Sequence, residues 1–200
     1  MILLREKFKY KIACLISRIY CWADSTILAE KKLELEKSLK YCGTGVHFHG
    51  QLKITFPENI ELNDNVVIGN NAYLDGRGGI IIGENTHISR NFVVHSSSHN
   101  YKSKRLPYDC TYDLKPVIIG RNVWIGTNVV LIPGISIGDG AIIGAGTVVS
   151  KSVPELAIVG NQPIRIIKHR DKEHYQNLDK NKCYGGISGR KLLKNSTNIR

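Results

Sequence analysis

The chain has 200 residues and carries 28 Lys and Arg against 17 Asp and Glu, a formal net charge of +11. The surplus lies at the ends: nine basic against five acidic residues in 1–40, nine against nine in 41–164, and ten against three in 165–200. A neutral centre with no basic stripe interleaved with aromatics argues against a nucleic-acid-binding face, no segment reaches the length of a membrane span, and five scattered cysteines without a CxxC pair argue against a disulfide framework or structural zinc site and for the reducing cytoplasm.

The length suits one domain with terminal extensions. Residues 1–45 form the first of these. Residues 3–23 read as an amphipathic helix with Phe8, Ile12, Ile16, Ile19 and Ala23 on one face, and a second helix is expected over 26–41. The favoured role is a cap on the open end of the domain that follows. The competing role is a peripheral membrane anchor, because Lys7, Lys9, Lys11, Tyr10, Tyr20 and Trp22 suit an anionic lipid surface. Positive charges surround the apolar stretch Ile12 to Ile16, but Arg18 interrupts it and no small-residue cleavage site follows, so a signal peptide is not expected.

Residues 46–168 carry a repeat. From 119 onward an aliphatic residue returns every sixth position, at Ile119, Ile125, Leu131, Ile137, Ile143 and Val149, with Val123, Val129, Ile135, Ala141, Thr147 and Val153 four positions after each. Strands repeat every two residues and helices about every 3.6, so a period of six predicts short strands stacked in coils and joined by corners. This is an all-β solenoid. Gly120, Gly126, Gly138 and Gly144 follow four of the aliphatics, where a tight corner suits a residue without Cβ. Upstream, Ile82, Ile88 and Val94 (with Thr86, Phe92 and Ser98 four on) form one register, and Ile68, Leu74 and Ile80 another, offset by two; Leu62 and Val66 begin the series. The offset predicts a small insertion at a corner near Gly78 and Gly79.

Between Val94 and Val117 the rhythm is lost, and HSSSHNYKSKRLPYDCTYDLKP (95–116) is expected to leave the coil as a protruding loop of the kind that carries function. The chain turns at Pro154, is expected to leave the solenoid near Pro163, and beyond Arg170 is polar, basic and expected to be largely mobile, so 169–200 is a basic tail. Charge at this end fits a polyanionic small ligand or a solvated tail.

The run NVWIGTNVVLIPGISIGDGAIIGAGTVVSK (122–151), with IGEN (82–85), HSSSHN (95–100) and VGNQPIRIIK (159–168) in that order, resembles the hexapeptide-repeat acyltransferases, in particular the maltose, galactoside and polysaccharide O-acetyltransferase branch. The resemblance spans about residues 50 to 168. It implies a left-handed parallel β-helix, a homotrimer with sites between subunits, and acetyl-CoA as donor without a metal. His99 matches the family's catalytic histidine. An alcohol is a poor nucleophile while protonated, and an imidazole titrating near neutrality can take that proton and hand it to the departing thiolate.

By the same resemblance Trp124 walls the acceptor and pantetheine cleft, and Thr127, Gly144 and Ala145 lie where backbone approaches the pantetheine arm. Ser150 and Lys151 match a pair near the nucleotide, while Arg165 and Lys168 fall where cations meet the coenzyme's phosphates, with one extra residue in GNQPIR shifting the register at Arg165. Asn70, Asn71 and Asp75 are expected to meet sugar hydroxyls, and His95 to orient the acceptor or pack. Solenoids of this shape also serve as zinc enzymes, but His87 is expected on another face from His95 and His99. Lys102, Lys104, Arg105, Tyr108 and Tyr112 suggest a bulky or anionic glycan acceptor. The expected activity is O-acetylation of a sugar in surface-polysaccharide or lipopolysaccharide assembly. N-acetylation of an amino sugar, antibiotic acetylation and a non-catalytic trimeric scaffold are the alternatives; the first usually comes with an N-terminal βαβ domain for which 1–45 is too short.

Overall fold

A computed structural model describes residues 2–102, 108–160 and 164–183. They form two compact units, divided after Ser38. The first unit is one helix, α1 (Ile2–Ser38), where two were expected. No Gly or Pro interrupts 2–38, and Asp24 and Ser25, which lay between the two expected helices, are spanned by Thr26 Oγ1 donating to the Trp22 carbonyl at 2.9 Å. Ile12, Leu15, Ile16, Ile19 and Trp22 are exposed along it.

The second unit is a left-handed parallel β-helix of about six turns. Its first face stacks Tyr41–Cys42, Ile60–Leu62, Ile80–Ile82, Val117–Ile119 and Ser136–Ile137. The second stacks His47–Phe48, Val67–Ile68, His87–Ile88, Trp124–Ile125, Ile142–Ile143 and Ala157–Gly160, and Arg165–His169 turns back antiparallel on the last. The third stacks Leu52–Thr55, Ala72–Asp75, Val93–His95, Val130–Leu131 and Val148–Val149. We call the corner between first and second faces the first edge, that between second and third the second edge, and that returning to the first face the third edge.

Every aliphatic from Ile119 to Val149 in the six-residue series, and every partner from Val123 to Val153, is buried. Fully burying one such side chain contributes about 1.5–3 kcal/mol, and each coil is stabilised by the coils above and below. The two inward threonines are satisfied: Thr86 Oγ1 donates to the Gly120 carbonyl at 2.8 Å, and Thr147 Oγ1 to the Gly144 carbonyl at 2.7 Å. Ser98 was expected inward and is exposed, because the chain has already left the coil; Ser96 is buried instead, its hydroxyl donating to the Asp75 carbonyl at 2.6 Å.

The two-residue offset is a property of the early coils. Strand partners there are 20 residues apart (Tyr41 with Glu61, Val67 with His87), but 18 apart later (Ile118 with Ser136, Val130 with Val148). The extra pair lies at the third edge, in 56–59 and 76–79, so Ile80 and Ile82 both point inward around an exposed Ile81. At the other two edges the chain turns through left-handed residues, Asn65, Asn85 and Asn122 at the first and Asn71, Asn91 and Asn128 at the second, all with φ of 57–59°. Asparagine tolerates this conformation better than other side chains, and its amides also link coils: Asn71 Nδ2 donates to Asn91 Oδ1 at 2.9 Å, and Asn91 Nδ2 to Asn128 Oδ1 at 2.8 Å.

The expectation of a mobile tail beyond Arg170 is overturned for 171–183. Helix α2 (Lys172–Lys180) starts at Asp171, whose side chain accepts the His174 N–H at 2.8 Å. Asn122 Nδ2 donates to Tyr175 Oη at 2.9 Å and Arg121 Nη2 to Asp179 Oδ2 at 2.8 Å, docking α2 on the first edge. Arg121 also bonds Asp139, and that hydrogen bond, against the cost of burial, raises the guanidinium's pKa further above its ordinary value. Tyr175 and Asp179 stand one helical turn apart in a polar run, which no hydropathy pattern reveals. Asp179→Ala is expected to cost roughly 1 kcal/mol or less in global stability, since the pair is part-exposed. It is also expected to speed amide exchange in 172–180 while leaving the coils protected, which hydrogen-exchange mass spectrometry checks. Residues 184–200 of the expected tail lie outside the described residues, as does Pro163.

Candidate active site

The chain leaves the third edge after Val93–His95 and returns at Val117. The expected loop is an ordered antiparallel ribbon, with Ser97–His99 paired to Tyr112–Leu114 and His99 opposite Tyr112. Its root is pinned: the Ser96 N–H donates to the Asp75 carbonyl at 3.1 Å, Lys115 N–H to the Ser96 carbonyl at 2.9 Å, and Gly134 N–H to the Lys115 carbonyl at 3.1 Å. Lys104 and Arg105 lie outside the described residues.

His99 is half-buried in this ribbon. Tyr108 stacks on its ring at 3.8 Å between centroids with 16° between planes, and Tyr112 lies 4.3 Å away at 36°. Its Nδ1 is buried and has no hydrogen-bond partner among the described residues. Beside the root, Asp75 Oδ1 accepts from Thr55 Oγ1 at 3.1 Å, and its Oδ2 accepts from Ser97 Oγ at 3.1 Å and lies 3.8 Å from His95 Nδ1. The His95 ring meets Tyr73 edge-on at 5.5 Å. Asp75 and His95 are thus neighbours of the ribbon, and Asp75 is occupied in holding it. Asn70 Oδ1 accepts the Gln51 N–H at 3.0 Å, and the Asn71 amide belongs to the second-edge ladder, so both asparagines hold corners at the far end of the strand from Asp75.

The remaining site residues fall in two places. Ser150 and Lys151 are exposed on the third edge, two coils beyond the ribbon. Trp124, 57% exposed, stands on the second face between His87 and Ile142. Thr127, Gly144 and Ala145 stack at the second edge, where a Cβ on Gly126 would come 2.7 Å from the Ala145 nitrogen. At Gly126 the neighbouring coil passes too closely for a side chain, whereas the position of Gly146 is open. Lys168 is exposed in the antiparallel strand, and Arg165, opposite Gly160, has its side chain outside the described residues. In one chain the whole third face separates Trp124, Thr127, Gly144 and Ala145 from His99, Ser150 and Lys151. His87 sits on the second face, away from His95 and His99, and among the described residues no three His, Cys, Asp or Glu side chains converge as a metal site.

Residues 116–151 match the family Bacterial transferase hexapeptide (six repeats), and residues 60–96 match Hexapeptide repeat of succinyl-transferase. The two matches flank the ribbon. The chain is a hexapeptide-repeat acetyltransferase. The enzyme is 29% identical over 152 residues to WcaF of Escherichia coli, named as a colanic acid biosynthesis acetyltransferase, covering 76% of this chain and 81% of that one. It is 34% identical over 128 residues to the galactoside O-acetyltransferase of Escherichia coli, covering 60% and 63% respectively. Among solved structures, a maltose O-acetyltransferase from Clostridium difficile 630 superposes with TM-score 0.63 at 28% identity, over 69% of this chain and 73% of that one. The hexapeptide-repeat acetyltransferase VCA0836 of Vibrio cholerae, complexed with acetyl coenzyme A, gives 0.66 at 27%, over 72% and 78%.

Sequence reading singled out His99 but not what surrounds it. Tyr108 and Tyr112 were read as hints about the acceptor, and Arg77 and Phe56 not at all. The available signal was the GRGG run at 76–79, which leaves one side chain among three glycines at a corner.

Proposed function

We propose that the enzyme is a homotrimer that transfers the acetyl group of acetyl-CoA to a hydroxyl of a sugar in surface polysaccharide or lipopolysaccharide synthesis. The observation that carries this is His99 itself, held between two tyrosines on a ribbon that stands off the third edge. His99 takes the proton of the acceptor hydroxyl, whose oxygen forms a bond to the thioester carbonyl carbon. The carbon–sulfur bond then breaks, and the coenzyme leaves as its thiol carrying that proton. Both substrates are bound together, and no acyl-enzyme forms.

The divided placement of the site residues supports the trimer. Bringing the third edge of one copy against the second edge of the next unites His99, Ser150 and Lys151 with Trp124, Thr127, Gly144 and Ala145. The pantetheine arm then runs along the small-residue edge, with Arg165 and Lys168 at the phosphates. Asn71, Asp75, His95 and Trp124 face the acceptor. The relatives named for polysaccharide and galactoside acetylation support a sugar acceptor, and the acetyl coenzyme A complex of the Vibrio protein supports the donor. The deciding experiment is mass spectrometry of the host's surface glycan with and without this protein. Loss of one acetyl increment is expected, and an unchanged glycan overturns the acceptor class.

The enzyme works in the cytoplasm, where acetyl-CoA is made, and α1 holds it at an anionic membrane face. Among the described residues no helix is long and apolar enough to cross a membrane. The exposed Ile12, Leu15, Ile16, Ile19 and Trp22 lie on a helix whose sequence also carries Lys7, Lys9, Lys11 and Arg18. The full-length protein is expected to co-sediment with phosphatidylglycerol vesicles but not phosphatidylcholine vesicles, and the Ile16→Glu/Ile19→Glu variant with neither. Equal binding to both lipids, or to none, overturns the anchor.

A further inference from the structure

We propose that Arg77, acting through Tyr112, is a positioning residue for the imidazole of His99. The proposal rests on the reading of His99 as the base. A catalytic histidine is ordinarily oriented by a hydrogen bond to the ring nitrogen that does not react. Here Nδ1 is buried and has no such partner among the described residues. The ring's orientation therefore depends on what stacks against its faces.

What stacks there is the end of a longer column. The Arg77 guanidinium carbon lies 4.3 Å from the centre of the Phe56 ring and 3.9 Å from the centre of the Tyr112 ring. Tyr112 then meets His99 at 4.3 Å, and His99 meets Tyr108 at 3.8 Å. Arg77 does not touch the reacting ring; it is one layer removed.

The column explains why the early coils are two residues longer than the later ones. Phe56 comes from the enlarged third-edge corner of the first coil, Arg77 from that of the second, and the ribbon leaves the same edge in the third. Beyond the ribbon the extra pair is absent. Two details mark the corners as built for this. Phe56 is held at φ 54°, ψ 51°, the left-handed conformation that an aromatic residue rarely adopts, and such strain persists only where the surroundings impose it. Arg77 is flanked by Gly76, Gly78 and Gly79: a Cβ at Gly76 would lie 2.6 Å from the Phe56 carbonyl oxygen, and one at Gly78 would collide with the Ser96 carbonyl at the ribbon's root. The corner is stripped of every side chain except the one that stacks. A guanidinium suits the position because it is a flat cation that can lie face-on against two rings at once, which an ammonium cannot.

The test uses full-length protein labelled with ¹³C at histidine. Ring currents from tyrosines on both faces are expected to place the His99 ring protons upfield of those of the other histidines. That displacement should persist in Tyr112→Phe, which keeps the ring, and shrink in Tyr112→Ala, Arg77→Ala and Arg77→Lys. With the glycan acceptor, Arg77→Ala should lower kcat about tenfold to a hundredfold, as for a misplaced catalytic group, with KM for acetyl-CoA unchanged. The His99→Ala/Arg77→Ala double variant should be no slower than His99→Ala. An unmoved His99 signal in Arg77→Ala, or a double variant slower than His99→Ala, overturns the positioning role alone. Near-normal activity in His99→Ala removes the base and the proposal together.

Discussion

Replacing His99 with alanine is expected to lower acetyl transfer about 10²- to 10⁴-fold, the usual contribution of a general base. The loss should fall on kcat, because the residues assigned to the coenzyme lie on the coils and the antiparallel strand and not on the ribbon that carries His99. Calorimetric affinity for coenzyme A should therefore be unchanged, which also separates an enzyme from a scaffold that would bind no coenzyme. The fold should survive, since the ring is only half-buried and makes no hydrogen bond through Nδ1 that the coils depend on. Steady-state rates with the acetylated glycan's precursor make the measurement. A variant that keeps wild-type kcat would show that the proton leaves by another route.

Phe92→Ala is expected to be the most destabilising single change in the coils, costing about 3–5 kcal/mol. Phe92 is the largest of the fully buried side chains, at 0% exposure, and its carbonyl accepts the Tyr73 N–H at 2.8 Å from the coil below. Against a total stability of about 5–15 kcal/mol this is a large share. It also falls at a sensitive place. Coils are stabilised only through their neighbours, and Phe92 lies in the third coil, directly before the strand Val93–His95 that launches the ribbon. Urea unfolding at fixed protein concentration measures the effect, because assembly would otherwise shift the midpoint. A cost below about 1 kcal/mol would mean that the third coil is not packed as described.

The coil was legible because its rule is local. Each corner consumes a set number of residues, so Ile119 to Val149 read in sequence are also the residues that stack in space, and even the offset between Ile80 and Ile82 could be located at Gly78 and Gly79. The loop was legible only as an interruption. Its polarity hid the ribbon, because cross-strand pairing of Ser97–His99 with Tyr112–Leu114 leaves no hydrophobic alternation where both faces are polar or aromatic. One continuous helix α1 stands where two were expected, because Asp24 and Ser25 between them are helical and the Thr26 hydroxyl bonds the helix's own backbone. For α2, two side chains on one helical face meet Arg121 and Asn122, more than fifty residues earlier in the chain. His99 itself was singled out by its place in a motif and not by any physical property of its neighbours.

By itself, then, the order of amino acids determined the solenoid, the inward positions and the point at which the chain departs from it, since a six-residue period is a property of successive residues. Tertiary structure alone decided what surrounds His99. Phe56 and Arg77 come from two successive coils and Tyr108 and Tyr112 from the returning arm of the ribbon, and they become neighbours only when enlarged corners stack along one edge. It decided equally that Thr127, Gly144 and Ala145 sit on a different edge of the prism from Ser150 and Lys151, because the edge on which a corner lies depends on its place within the coil and not on the identity of the residue there.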